Sequence, residues 1–274
     1  MLNLRIIFGI GVLLLLVGTA LFAPWLAPHD PLAQDLLYGS LPPAWSTGGE
    51  PVYLFGTDTL GRDILSRLIY GAQPALIVAL AGAGLAALIG VGLGLAAGFS
   101  GGWLDMAISR LVDVWMAFPA VLLSIVLVAI LGAGLGSVVI AIAIIDWTRF
   151  CRVVRSETMQ QVQLDYVVSA RTIGLTGAQT LRREVLPNLL PLILTLFTLE
   201  MGIAIVVEAI LSFVGLSVSS DMPTWGSLIR DGRLYVNQIP WLLGLPVLAI
   251  AITVLGLNAL GDGLREALDP SVRV

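Results

Sequence analysis

Residues 166–188 read YVVSARTIGLTGAQTLRREVLPN, a polar stretch that carries Arg171, Arg182 and Arg183 between long apolar runs. It is the longest solvated interruption in the second half of the chain. Residues 164–173 can form one short helix, with Leu164, Val167, Val168 and Arg171 sharing a face. Gly174 then lets the chain turn where a β-carbon would be in the way. Thr176 and Gln179 have the T-x-x-Q spacing of a capping box, which restarts a helix at Gly177. Pro187 marks the approach to the next apolar run. Helix, glycine turn and helix make a rigid peg; an ordinary interhelical loop is the plainer reading of the same residues.

On both sides of this stretch the sequence is built for lipid. Of 274 residues, 58% are hydrophobic and 12% charged, whereas soluble globular domains carry roughly a quarter charged residues. A helix that crosses a bilayer needs about 20 mostly apolar residues. Six segments qualify, roughly 6–27, 74–98, 104–132, 135–156, 189–216 and 240–262. Backbone groups in lipid must be satisfied internally, and these runs are too extended for barrel strands. The expected class is therefore all-α, a polytopic membrane protein with six transmembrane helices.

All fourteen basic residues are arginine. With the N-terminus inside, ten of them fall on the inner side, and four (Arg62, Arg67, Arg230 and Arg233) fall outside. That asymmetry obeys the positive-inside bias, so both termini and the 149–188 region are expected in the cytoplasm. The run from Ile6 to Ala23 exceeds the roughly 7–15-residue core of a signal peptide and reads as an uncleaved helix. Cys151 is the only cysteine, which excludes an intrachain disulfide. The lone His29, beside Asp30 and Pro31, reads as a loop residue rather than a metal ligand.

The remaining motifs divide the chain. Residues 28–56 are rich in proline and glycine and read as an outer loop. Residues 55–71, FGTDTLGRDILSRLIYG, read as an amphipathic surface helix. Leu60, Ile64, Leu68 and Ile69 lie on its apolar face, and Asp58/Arg62 and Asp63/Arg67 have i,i+4 spacing. Gly90, Gly94 and Gly98 present a smooth stripe for a neighbouring helix. Asp105, Arg110 and Asp113 make the start of the third span amphipathic and interfacial before Pro119 interrupts it. Asp146 and Arg149 are close enough in sequence to pair at the inner boundary. Glu200 and Glu208 stand within apolar sequence, where a carboxylate is expensive and turns toward a partner, water or a pathway. Hydrogen-bonded locking of two helices is the alternative role for Glu208. The predicted organisation is an N-terminal helix, outer loop and interfacial helix over 1–72, then a five-helix core over 73–274 that includes the loop at 163–188.

Several of these motifs carry a resemblance. Ser169-Ala170, Gly174 and Leu186-Pro187 are similar to the cytoplasmic "EAA" loop of ABC-importer permeases, although Val168 stands where that family has its glutamate. The run GTDTLGRDILSRLIYG, the run AILSFVGLS after Glu208, Pro223-Thr224-Trp225-Gly226 and the closing stretch 257–273 resemble the C-type permeases of dipeptide, oligopeptide and nickel importers. The resemblance covers about residues 20–273. It implies a type I importer-permease fold in a bacterial inner membrane, with Ser169, Ala170, Arg171, Gly174, Leu186 and Pro187 in a loop that docks on an ATPase. It also implies a second homologous permease, two ATP-binding subunits that carry ATP and Mg, and an extracytoplasmic solute-binding protein. Glu208, Glu200 and Asp146 are the candidate pathway or gating residues.

Neither a G-x-x-x-x-G-K-[ST] phosphate loop nor a metal-ligand cluster occurs in the sequence. The chain is expected to bind no cofactor or nucleic acid and to leave ATP hydrolysis to its partners. Di- or oligopeptides are the expected cargo, with nickel, a metal chelate or another small solute as the alternative. An ion-coupled secondary transporter is the rival from another class. Such folds show internal repeats and broken helices with mid-membrane ion sites, and neither is evident here.

Overall fold

A computed structural model describes residues 4–218 and 222–268. Residues 269–274, with Arg273 and the end of the 257–273 stretch, lie outside the described residues. Apart from short turns of helix at Ala23–Leu26 and Leu36–Tyr38, the helices are α1 (Leu4–Leu21), α2 (Ile64–Ser100), α3 (Gly102–Met116), α4 (Ala120–Leu131), α5 (Leu135–Gln161), α6 (Asp165–Thr172), α7 (Gly177–Val214), α8 (Trp225–Arg233) and α9 (Pro240–Leu268). Among the described residues there is no strand, only an isolated bridge between Thr57 and Asp63. The all-α expectation holds.

The number of spans is less simple than six. By length and composition α1, α2, α7 and α9 qualify, and α3 with α4 supplies a fifth if that bent pair is one span. α5 has 27 residues, but Asp146, Arg149 and Arg152 interrupt its apolar run. The α3–α4 axis bends by 88°. Pro119 causes the break, because its ring cannot continue a helix and its extended backbone starts α4 instead. α3 is held against α5 by ion pairs from Arg155 to Asp105 at 2.7 Å and from Arg152 to Asp113 at 3.1 Å. Its charged face is therefore occupied, in keeping with an interfacial helix.

Two helices outlast the hydrocarbon layer by the most. α2 has 37 residues and α7 has 38. At 1.5 Å per residue these are about 55 and 57 Å long, against a core of about 30 Å. The first turns of α2 project at the end of the bundle that carries the 27–63 loop. The first turns of α7 project at the other, beside α6. This corrects the reading of residues 55–71 as a separate surface helix. Helix begins only at Ile64, where Asp63 caps it, and runs on into α2. Residues 55–63 are turns, with Gly56 and Gly61 at φ +75° and +74°. The division at residue 72/73 falls within the Ile64–Ser100 run, beside the Gly71 turn between Ile64–Tyr70 and Ala72–Ile77.

α2 lies along α5, and α9 packs against both α1 and α7. The glycine stripe explains the first contact. A β-carbon at Gly90, Gly94 or Gly98 would lie 2.3, 2.8 or 2.6 Å from the carbonyl oxygens of Trp147, Cys151 and Arg155. Backbone meets backbone there, so only glycine fits. α1 meets α9 in a similar way, with Gly256 against Val12 and Gly9 against Leu260.

Gly90→Ala should therefore force α2 and α5 apart at a cost of about 1–3 kcal/mol. Gly92→Ala, whose β-carbon would meet no atom within 4 Å, should be neutral or slightly stabilising. Thermal midpoints of the two variants in detergent check this. Equal midpoints would mean that the stripe is not a close contact.

Candidate functional site

The polar stretch at 166–188 folds as the peg its sequence suggests. α6 ends in a full Schellman closure, in which Gly174 N–H donates to the Arg171 carbonyl and Leu175 N–H donates to that of Ala170, each at 3.1 Å. Gly174 sits at φ +101°, which an L side chain resists. Thr176 and Gln179 form both halves of the capping box. The helix that starts there does not pause before the next span but continues as α7. Pro187 lies inside its early turns rather than at a boundary. A π-turn over Leu181–Val185 just upstream absorbs the lost proline donor and the clash with the preceding turn.

The peg is fastened on one side and open on the other. Val167 is buried with Val154 of α5, Val185 and Leu189 of α7 and Leu95 of α2. Ala170 is buried beside it, Asn188 Nδ2 donates to Tyr166 Oη at 2.9 Å, and the Arg171 guanidinium stacks 4.6 Å from the Phe99 ring centre. Of the face proposed from spacing, only Val167 is buried; Leu164, Val168 and Arg171 are exposed. The inward face is set by Val167 and Ala170, three apart. Ile173 is 78% exposed and Val168 50% exposed, so apolar surface points away from the bundle at the turn. Ser169 is also exposed, as is Pro187, while Leu186 is half-buried against the core beneath.

A cavity of about 580 Å³ opens between α4, α5, α7 and α9. Its walls are mainly aliphatic, and its polar groups are Ser124, Asp146, Arg149, Glu200 and Asn258. The expected Asp146–Arg149 pair does not form. Arg149 Nη1 reaches instead across to Glu200, 3.3 Å from Oε1. Sequence spacing favoured a partner three residues away on α5 and gave no signal for one on α7. Asp146 and Glu200 thus share the cavity.

Glu208 is elsewhere. It is 1% exposed and accepts hydrogen bonds from Ser212 Oγ at 2.6 Å and Ser217 Oγ at 3.0 Å. Thr224 Oγ1 donates to Ser212 Oγ at 2.8 Å, and Gly134 N–H donates to the Ser217 carbonyl at 2.6 Å. This network ties the end of α7 to the cap of α8 and to the α4–α5 turn. A second polar knot lies nearby. Asp58 is contacted by Arg62 Nε at 2.7 Å and also by Arg67, and Arg67 Nη2 reaches Asp231 of α8 at 3.2 Å. The expected Asp58–Arg62 pair is present, although in a turn rather than a helix. Asp63 does not pair with Arg67 but caps α2 by accepting from Ser66 N–H at 2.9 Å. Asp231 had no signal in the sequence, since its partner is 164 residues away.

Residues 90–274 match the family described as binding-protein-dependent transport system inner membrane component, and residues 5–43 match the N-terminal transmembrane domain of oligopeptide transport permease C. The chain belongs to this permease family. It is 43% identical to the di/tripeptide transport system permease protein DppC of Pseudomonas aeruginosa, over 97% of this chain and 88% of that one. It is 36% identical to the dipeptide permease DppC of Haemophilus influenzae, over 99% and 92%. It is 41% identical to the glutathione transport system permease GsiD of Shigella dysenteriae, over 95% and 84%. The methionine ABC transporter MetNI, in inward-facing conformations, has a chain of similar fold, with TM-score 0.63, 16% identity and coverage of 75% and 98%. This permease is accordingly a multi-pass inner-membrane component of an ABC importer, working with other transporter subunits.

The Glu208 network predicts two different outcomes at one position. Glu208→Gln keeps an acceptor for both serines and should shift the thermal midpoint little. Glu208→Leu strands buried hydroxyls and should cost about 1–3 kcal/mol. Equal midpoints for the two variants would show that the hydrogen bonds do not hold α7, α8 and the α4–α5 turn together.

Proposed function

We propose that this chain forms half of the translocation pathway of an ATP-driven importer of di- or oligopeptides, and that its peg couples the pathway to ATPase subunits. The cargo class rests on relatives whose names specify dipeptides, di/tripeptides and glutathione, itself a tripeptide. The coupling role rests on one observation above all. The Gly174 turn presents exposed Ile173 and Val168 on a helix pinned from behind by Val167, which is how a rigid docking element is built. Val168 in place of the family glutamate makes this docking face more apolar without altering the turn.

The full assembly is a second homologous permease, two ATP-binding subunits that carry ATP and Mg, and an extracytoplasmic binding protein that delivers cargo. This chain leaves hydrolysis to those subunits. Nucleotide-driven closure of the ATPases would displace the peg and switch the bundle between two arrangements. The arginine asymmetry supports an orientation with both termini and the peg in the cytoplasm and residues 27–63 outside. In a Cys151→Ala background, Ser46→Cys and Ile173→Cys should therefore react with an impermeant thiol reagent from opposite faces of the membrane. Labelling of both from one face would sink this orientation.

Gly174→Val tests coupling. A β-branched residue at φ +101° is strained by about 1–3 kcal/mol, and its side chain would enter the open space on the docking side. Uptake by the assembled importer should fall at least tenfold, with cargo-stimulated ATP hydrolysis lost as well. Normal stimulated hydrolysis in this variant would show that the peg is not the coupling element.

A further inference from the structure

The two carboxylates of the cavity are not equivalent. Glu200 is bridged by Arg149. Asp146 is 4% exposed, lines the same cavity, and has neither a hydrogen bond nor an ion pair from its side chain among the described residues. It lies eleven residues beyond Leu135, about 17 Å along α5, about one turn before the 149–188 region expected on the cytoplasmic side. A carboxylate buried there without a partner is costly, and such acids characteristically face a pathway. Its one open direction is the cavity, whose size falls within the roughly 300–1,000 Å³ of small-ligand sites. The walls are aliphatic, so they offer side chains dispersion contacts but no competing hydrogen bonds. The cavity holds two carboxyl groups against a single arginine, and Arg149 is already engaged by Glu200.

We propose that Asp146 is a transit site for a primary ammonium group, the amino terminus of the cargo, as it crosses the membrane. The inference rests on the importer reading above and deepens it. A peptide entering lipid-enclosed space must shed water from its charged end, and a fixed carboxylate replaces that hydration. The Arg149–Glu200 pair lies about one turn further toward the peg. It supplies the next acid once its arginine moves, so that the ammonium is handed on rather than trapped.

The test uses the importer assembled with its partner subunits in proteoliposomes, with Cys151→Ala and Ile203→Cys in this chain. Ile203 lines the cavity eleven residues before Val214, at a depth similar to that of Asp146. The probes are aminoethyl and sulfonatoethyl methanethiosulfonate, similar in size and opposite in charge. The aminoethyl reagent should react about tenfold faster or more, as expected for a negative cleft. Adding Asp146→Asn should remove most of that preference, and Asp146→Glu should keep it. Any change in thiol reactivity affects both reagents alike, so the ratio reports charge alone. In parallel, uptake of tri-alanine should fall about tenfold or more with Asp146→Asn and be restored by Asp146→Glu.

A ratio unmoved by Asp146→Asn overturns the proposal. So does failure of both reagents to reach Ile203→Cys, which would mean that the second permease fills the cavity and partners Asp146. Undiminished tri-alanine uptake by the Asn variant overturns it too. If the unsubstituted importer takes up no tri-alanine, the peptide reading fails instead, and the reagent ratio still decides whether Asp146 is an ammonium site.

Discussion

The backbone-to-backbone approach of α2 and α5 is the contact that places the functional elements. Three glycines four residues apart let α2 lie against Trp147, Cys151 and Arg155 with no side chains between, and this fixes α5 in rotation as well as position. Its other faces are then assigned. Asp146 and Arg149 point to the cavity, Val154 lies beneath the peg, and Arg152 and Arg155 hold α3. In lipid no hydrophobic force drives helices together, so association relies on close packing of this kind. A methyl group on the stripe would disturb the peg and the cavity together.

The peg is the short connection between α5 and α7, and these are the two helices that Arg149 and Glu200 bridge inside the bundle. α7 runs from the capping box at Thr176 to Val214 without interruption. A displacement applied at the peg therefore loads both helices along their length. Along α7 it reaches the Arg149–Glu200 bridge, which lies in the cavity. At the other end of α7, Glu208 and its hydroxyl partners hold the helix to α8 and the α4–α5 turn. α7 is thus a lever with an anchored far end, and the bridge lies between that anchor and the peg.

The local chemistry of this chain was legible in its residues, and its long-range pairing was not. The capping box, the glycine turn, the proline break before α4 and the glycine stripe are each determined by residues within a few positions of one another, and each forms as its spacing predicts. The surface-helix reading of 55–71 failed for a related reason. Apolar periodicity and i,i+4 charges are also compatible with a turn followed by a helix start. The deciding features were Gly56 and Gly61 in the left-handed region and Asp63 used as a cap. Arg149 and Arg67 took acids that spacing could not reveal, because Glu200 comes from α7 and Asp231 from α8, while Asp63 is drawn off by the Ser66 amide that it caps. The buried face of α6 differs from the four-residue stripe that spacing suggests, because two small contacts, Val167 and Ala170, suffice to seat it.

Buried charge in the bundle is sorted by partners rather than by depth. Glu208, Glu200 and Asp146 all stand in apolar sequence and all are at least nine-tenths buried. Glu208 is satisfied by hydroxyls from its own helix and the following turn, which makes it a fixed joint. Glu200 is satisfied by an arginine from a neighbouring helix, and such a bond can break when the two helices move. Asp146 faces the cavity, with no hydrogen bond or ion pair from its side chain among the described residues. Burial alone therefore cannot assign a role to an acid in a membrane bundle. What assigns it is whether the compensating group is built into the same element, borrowed from a moving one, or left for something that passes through.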